Sequence, residues 1–166
     1  VIAVTPAELE IDRQALTVLR RILGEASPRE GCALLLGRRL PGRVGGAGPL
    51  WRLELIWPCL NVWEPPQERT RRFRLDPREQ LLAQKWARRR HLEVLGAAHS
   101  HPSDAPIPSR TDLALTAGPT LMVILGRADA GNRCEAPLGC WWLPDSEDSP
   151  HPAANAPRPL PWRMVD

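Results

Sequence analysis

With 166 residues, of which 43% are hydrophobic and 25% charged, the chain has the size and composition of one globular domain with a real core rather than two. Its net charge of +3 is modest. The basic residues are not interleaved with stacking aromatics, so nucleic acid is a weak option as a partner. No apolar run approaches the roughly 20 residues needed to span a membrane. The segment VIAVTPAELEID lacks a basic stretch followed by an apolar one, so no signal peptide is expected and a cytoplasmic location is. The four cysteines, at 32, 59, 134 and 140, show no C-x-x-C spacing, which argues against a structural zinc cluster. A Cys134–Cys140 bridge is conceivable, although nothing else points to an oxidising compartment.

In chain order, Val1 to Val4 fit a short strand, and Thr5-Pro6 fits a helix start with a capping hydroxyl and Pro at the first position. Ile11, Ala15, Leu16, Leu19, Ile22 and Leu23 then share one helical face. Cys32 to Leu36 reads as a buried strand. Residues 38–49, RRLPGRVGGAGP, read as a Gly-rich hairpin loop, and Leu50 to Pro58 as its partner strand. Asn61 to Leu75 is polar, with arginines at 69, 71, 72 and 74; it predicts a solvated loop and edge strand, or equally a rim that holds a substrate. Asp76-Pro77-x-Glu79 starts a helix that is expected to bury Leu81, Leu82 and Trp86 and to end near His91, a cation placed well for the helix dipole. LEVLGAA predicts a buried strand into His99, and TLMVIL (residues 120–125) and the run from Cys134 to Leu143 predict two more. We expect a domain over residues 1–145 and a Pro-rich tail over 146–166, in which His151 is solvated and PWRMVD adds a short edge strand. The element order suggests an α/β or α+β fold, a curved mixed sheet flanked by helices.

The chemistry concentrates in residues 99–112, HSHPSDAPIPSRTD. Residues i and i+2 of a strand point to the same face, so His99 and His101 can grip one ion. Pro102 ends the strand. Ser109 then opens a helix that carries Asp112 on its first turn. Two imidazoles and a carboxylate suit Zn²⁺, and three protein ligands leave a position for water, the pattern of catalytic zinc. Each piece has a plainer reading: His-x-His as two ordinary histidines, and Ser-x-x-Asp as a capping box. The combination within fourteen residues is harder to produce by chance.

His-Ser-His-Pro, six residues, then Ser-x-x-Asp resembles the JAMM motif of the MPN (Mov34/PAD-1) metallopeptidases, in a short prokaryotic form. SPREGCALLLG supplies Glu30 where that family has an upstream glutamate, and PCLNVWEPPQERTRRFRLDPREQ is similar to the stretch before the histidines in short members. The resemblance covers about residues 5 to 145. It implies an MPN-like curved sheet, or a cytidine-deaminase-like three-layer arrangement. It further implies a zinc ion on His99, His101 and Asp112, Glu30 as general base, and Ser109 as oxyanion donor. Asp104 lacks the family spacing and reads as a turn former. The implied activity is amide hydrolysis at the C-terminus of a ubiquitin-like or sulfur-carrier protein with a flexible tail. The alternatives are a non-catalytic MPN scaffold that binds partners and a zinc hydrolase of small amides.

Overall fold

The computed structural model describes residues 5–42, 45, 46, 48–116, 118–129, 135–144 and 156–166, among which eight strands form one mixed sheet flanked by helices. In chain order they are β1 (Glu8–Asp12), α1 (Arg13–Glu25), β2 (Cys32–Leu40), β3 (Leu50–Cys59), α2 (Pro77–Arg88), β4 (Glu93–Ser100), α3 (Arg110–Leu115), β5 (Thr120–Leu125), β6 (Leu138–Leu143), β7 (Arg158–Pro159) and β8 (Trp162–Val165). The spatial order is β7-β6-β5-β4-β2-β3-β1-β8. Val1 to Val4, Cys134 with its conceivable bridge, and His151 lie outside the described residues.

The first helix starts later than its sequence pattern predicts. Asp12, not Thr5, caps it, and its carboxylate accepts from the amides of Gln14 and Ala15 at 2.8 and 3.2 Å. Ile11 therefore belongs to β1, where it pairs in parallel register with Leu53. An apolar alternation short enough to fit either period is settled by the partner strand, which the sequence does not display. Ala15, Leu16, Leu19 and Leu23 of α1 do face the sheet.

Strands β2 and β4 form the middle of the sheet and alternate between its two faces. Ala33, Leu35 and Ala98 join α1 in the larger core, while Leu34, Leu36 and Ala97 pack beneath α2. That second layer corrects an expectation. Helix α2 buries Ala83 and Ala87, whereas Leu81 and Leu82 are 67% and 53% exposed. Two alanines one turn apart let the helix lie close on the leucines of β2, with Trp86 half-buried edge-on to Trp57. The helix also stops at Arg88, so His91 lies beyond it, exposed, with φ of 56°. Lys85 and Arg88 occupy the last turn instead. No strand forms over Asn61 to Leu75; a 3-10 turn over Pro66–Thr70 takes its place.

The C-terminal residues close the sheet on itself. β7 pairs with β6 at one edge and β8 with β1 at the other, yet only Leu160 and Pro161 separate them. Three residue steps span at most about 11 Å, so the two edges of the eight-stranded sheet must come that close together. Inside the curl, Trp51 of β3 meets Trp142 of β6 edge-on at 5.3 Å. Among the described residues, no helix is long and apolar enough to cross a membrane.

Candidate metal centre and active site

β4 delivers both histidines to one place. Its parallel ladder with β5 runs on past its end, where the His101 amide donates to the Leu125 carbonyl at 2.8 Å, so His101 keeps the facing of His99. The chain then turns and enters α3, whose capping box joins Ser109 to Asp112 in both directions. The Ser109 amide donates to Asp112 Oδ2 at 2.7 Å, and the Asp112 amide donates to Ser109 Oγ at 3.1 Å. Capping and metal-site readings of this segment are therefore both realised, and the cap is what aims the carboxylate.

The three side chains converge. His99 Nε2 and His101 Nε2 lie 3.0 Å apart, and the Asp112 oxygens lie 3.4 Å from each. All three candidate ligand atoms fall within 4.8 Å of one another, and all three residues are buried. His101 Nδ1 sits 2.9 Å from the Ala105 carbonyl, which can only accept, so that nitrogen carries the proton and Nε2 presents its lone pair. A bare imidazole nitrogen facing a second imidazole nitrogen and an ionised carboxylate is a donor set that fits Zn²⁺.

Electrostatics follow from this packing. Burial pushes Asp112 upward, but the adjacent His101 and His99 rings and the donating Ser109 amide outweigh it and hold the carboxyl well below the usual carboxylate range. Burial lowers His99. In His101 burial acts the same way, yet Asp112 and the Ala105 carbonyl prevail and raise it. Glu30 stands at the mouth of β2, 5% exposed, and burial pushes it up to about 7 while His101 pulls against the rise. Its Oε2 has no hydrogen-bond partner. A groove of about 550 Å³ runs beside these groups, lined by Glu30, Arg71, His101, Asp104, Ile107 and Ser109 among others. Asp104 is exposed on its wall and stands apart from the three converging ligands.

Three supporting residues were not singled out from sequence. Phe73, the sole phenylalanine, stacks on His99 with centroids 4.3 Å apart and fixes its ring plane. Asn61 donates to the carbonyls of Glu30 and Arg72 at 3.0 and 2.8 Å and accepts from the amides of Trp63 and Arg74, which ties the loop to the backbone at Glu30. Ser100 accepts from the Gly31 amide at 2.8 Å, clamping the strand entry next to Glu30. The lone aromatic in an arginine-rich run was the available signal for Phe73; Asn61 and Ser100 carried none. Of the arginine group, Arg69 binds the Trp63 carbonyl and Glu64, Arg72 pairs with Glu68, and Arg72 and Arg74 lie over the Trp63 ring. Arg71 alone of the four lines the groove.

A curved mixed sheet flanked by helices, with a His-x-His strand end and a capped aspartate converging beside it, defines a JAMM/MPN-type zinc metallopeptidase fold. A family model described as prokaryotic homologs of the JAB domain matches residues 12–143, and the chain belongs to that family. A protein from Desulfitobacterium hafniense, solved in solution, aligns with a TM-score of 0.72 at 23% identity over 95% of this chain and 93% of that one, a likeness of fold. A protein from Salinibacter ruber, also solved in solution, aligns with a TM-score of 0.59 at 27% identity over 95% and 92% of the two chains. No protein of curated function matches the sequence.

Proposed function

We propose that this chain is a zinc-dependent peptidase that hydrolyses an amide bond at the C-terminus of a ubiquitin-like or sulfur-carrier protein, in a reducing, cytoplasmic setting. The observation that carries the reading is the convergence of His99, His101 and Asp112 on one point beside a groove that Glu30 and Ser109 also line. Zinc held by those three ligands would supply Lewis acidity and a water whose pKa falls to about 7. Glu30 takes the water's proton on its unpartnered Oε2 and returns it to the leaving amine, a task suited to a carboxyl raised to about 7. The Ser109 hydroxyl already accepts from the Asp112 amide, which leaves its own proton free to donate to the oxyanion. His101 holds its lone pair forward through the Ala105 carbonyl. The groove is open, so it suits an extended chain rather than an enclosed small molecule, and Arg71 places a cation on its lip. All five motif positions are filled, which weighs against a scaffold without chemistry.

The test is metal content by mass spectrometry for the purified chain beside His101→Ala, followed by hydrolysis of ubiquitin-like adducts. About one zinc per chain, lost in the mutant, together with cleavage of a protein adduct, would support the proposal. A chain that takes up no zinc when it is supplied would overturn it in favour of a scaffold.

A further inference from the structure

Cys32 and Cys59 stand directly opposite each other on neighbouring antiparallel strands, in register between β2 and β3. Opposed residues of a ladder share a face, and this one also carries Leu34, Leu36 and Trp57, against which α2 packs. The two thiols are already in each other's surroundings: Cys32 Sγ donates to the Cys59 carbonyl at 3.7 Å, and Cys59 Sγ donates to the Trp57 carbonyl at 3.6 Å. Pro58, opposite Ala33, has no amide proton, so that pair cannot exchange two ladder bonds. The alternation of an antiparallel ladder then makes Cys32–Cys59 a hydrogen-bonded pair, with Cα atoms about 5.5 Å apart. Disulfides usually span Cα separations of about 4.4–6.8 Å with Cβ atoms about 3.5–4.5 Å apart, so the facing Cβ atoms, about 4.5–5.5 Å apart in a ladder, must draw together as the bond closes.

From this register we propose that Cys32 and Cys59 are a modification site: under a peroxide they close into a reversible intramolecular disulfide. Cys59 is half-buried and meets the oxidant first, whereas Cys32 is buried and resolves. The Cys59 sulfur attacks hydrogen peroxide, the O–O bond breaks, one water leaves with the thiol proton, and a sulfenic acid remains. The Cys32 sulfur then attacks the Cys59 sulfur, the S–O bond breaks, and a second water leaves. Two thiols lose two electrons and two protons, and one peroxide becomes two waters. Burial pushes Cys59 up to about 11 and Cys32 up to about 12, so few thiolates are present and the bond builds up slowly under sustained oxidant. Its location gives it consequence. On its other side Cys32 pairs with His99, and Glu30 lies two residues before it, so the link stiffens the strand ends that carry both.

The experiment is prolonged exposure of the full chain to hydrogen peroxide, then non-reducing proteolysis and mass spectrometry. A Cys32–Cys59 peptide pair is expected as the dominant product, erased by dithiothreitol. In Cys32→Ala the Cys59 sulfenic acid has no resolving partner, so trapping with dimedone should rise several-fold over wild type; Cys59→Ser should give no bond to Cys32. Equal dimedone labelling in wild type and Cys32→Ala would overturn the proposal. So would preferential pairing of Cys59 with Cys134 or Cys140 in the wild-type chain, which needs no variant to fold.

Discussion

Glu30 is held by packing in a state that water would not favour. Its carboxyl is buried, its Oε2 is unpartnered, and its pKa is pushed up to about 7. Glu30→Gln keeps the shape and removes the proposed proton acceptor, so zinc content should persist while kcat falls by about 10²–10⁴; loss of zinc in that variant would make Glu30 a ligand instead. The same group gives a stability test with a definite sign. A carboxyl raised in the folded state retains its proton there while the unfolded chain has released it, so its contribution is full below about 4.5 and lost as pH rises through about 7. In the metal-free protein, the Tm of Glu30→Gln minus that of wild type should therefore climb across that window and level off above it. A difference flat with pH would contradict the buried carboxyl. Ser109→Ala separates the observed cap from the proposed oxyanion role of one hydroxyl: loss of the cap should cost about 1 kcal/mol of stability, and loss of the oxyanion donor about 10²–10³ in kcat. A drop in Tm without a drop in kcat would leave Ser109 as a cap only.

At the scale of elements, β4 matters most, because it carries His99, leads directly into His101, and touches β2 on one side and β5 on the other. Gly96 makes that close approach possible, since a Cβ there would fall 1.9 Å from the Leu121 carbonyl oxygen. Gly96→Ala must push β4 and β5 apart, and we expect a loss of about 1–3 kcal/mol or more. Zinc affinity should weaken with it, because His101 is fixed through the Leu125 carbonyl of the same β5. Unchanged Tm and zinc affinity would show that the ladder yields there at no cost. Helix α3 is short and places one residue, Asp112, whose aim depends on the cap rather than on helix length. The loop before α2 does comparable work without regular structure, since Asn61 replaces a ladder with four hydrogen bonds and presents Phe73 to His99.

At the scale of the molecule, the C-terminal residues hold the curl that brings the sheet's two edges together. Leu160, buried in the larger core, donates its amide to the Cys140 carbonyl, while the Leu9 amide donates to the Pro161 carbonyl, so one dipeptide bridges both edges. Leu160→Ala should cost about 2–5 kcal/mol, as core leucines do. Deletion from Ala156 onward should cost more and broaden the unfolding transition, because β1 and β6 would both become open edges. Denaturant unfolding followed by tryptophan fluorescence reads both, since Trp51 and Trp142 meet inside the curl. A deletion as stable as the full chain would show that the curl stands without its strap.

The metal triad was legible because its chemistry is local. His99 and His101 share a strand face by period alone, Pro102 ends the strand, and Ser109 aims Asp112 through bonds that span only three residues. Glu30 was legible only through family resemblance, because the groove that unites it with His101 joins chain positions some seventy residues apart. What the tertiary structure alone decided depends on partners that a linear chain does not name. β1 took Ile11 from the helix pattern because β3 and β8 lie on either side of it. α2 turned its alanines inward because close approach to β2 outweighed burying Leu81 and Leu82. Phe73 and Asn61 gained their roles from side chains far along the sequence, and the two short C-terminal strands gained theirs by closing a sheet whose edges only the fold brings together. Periodicity and capping act over a few residues, whereas burial and pairing are settled between distant ones.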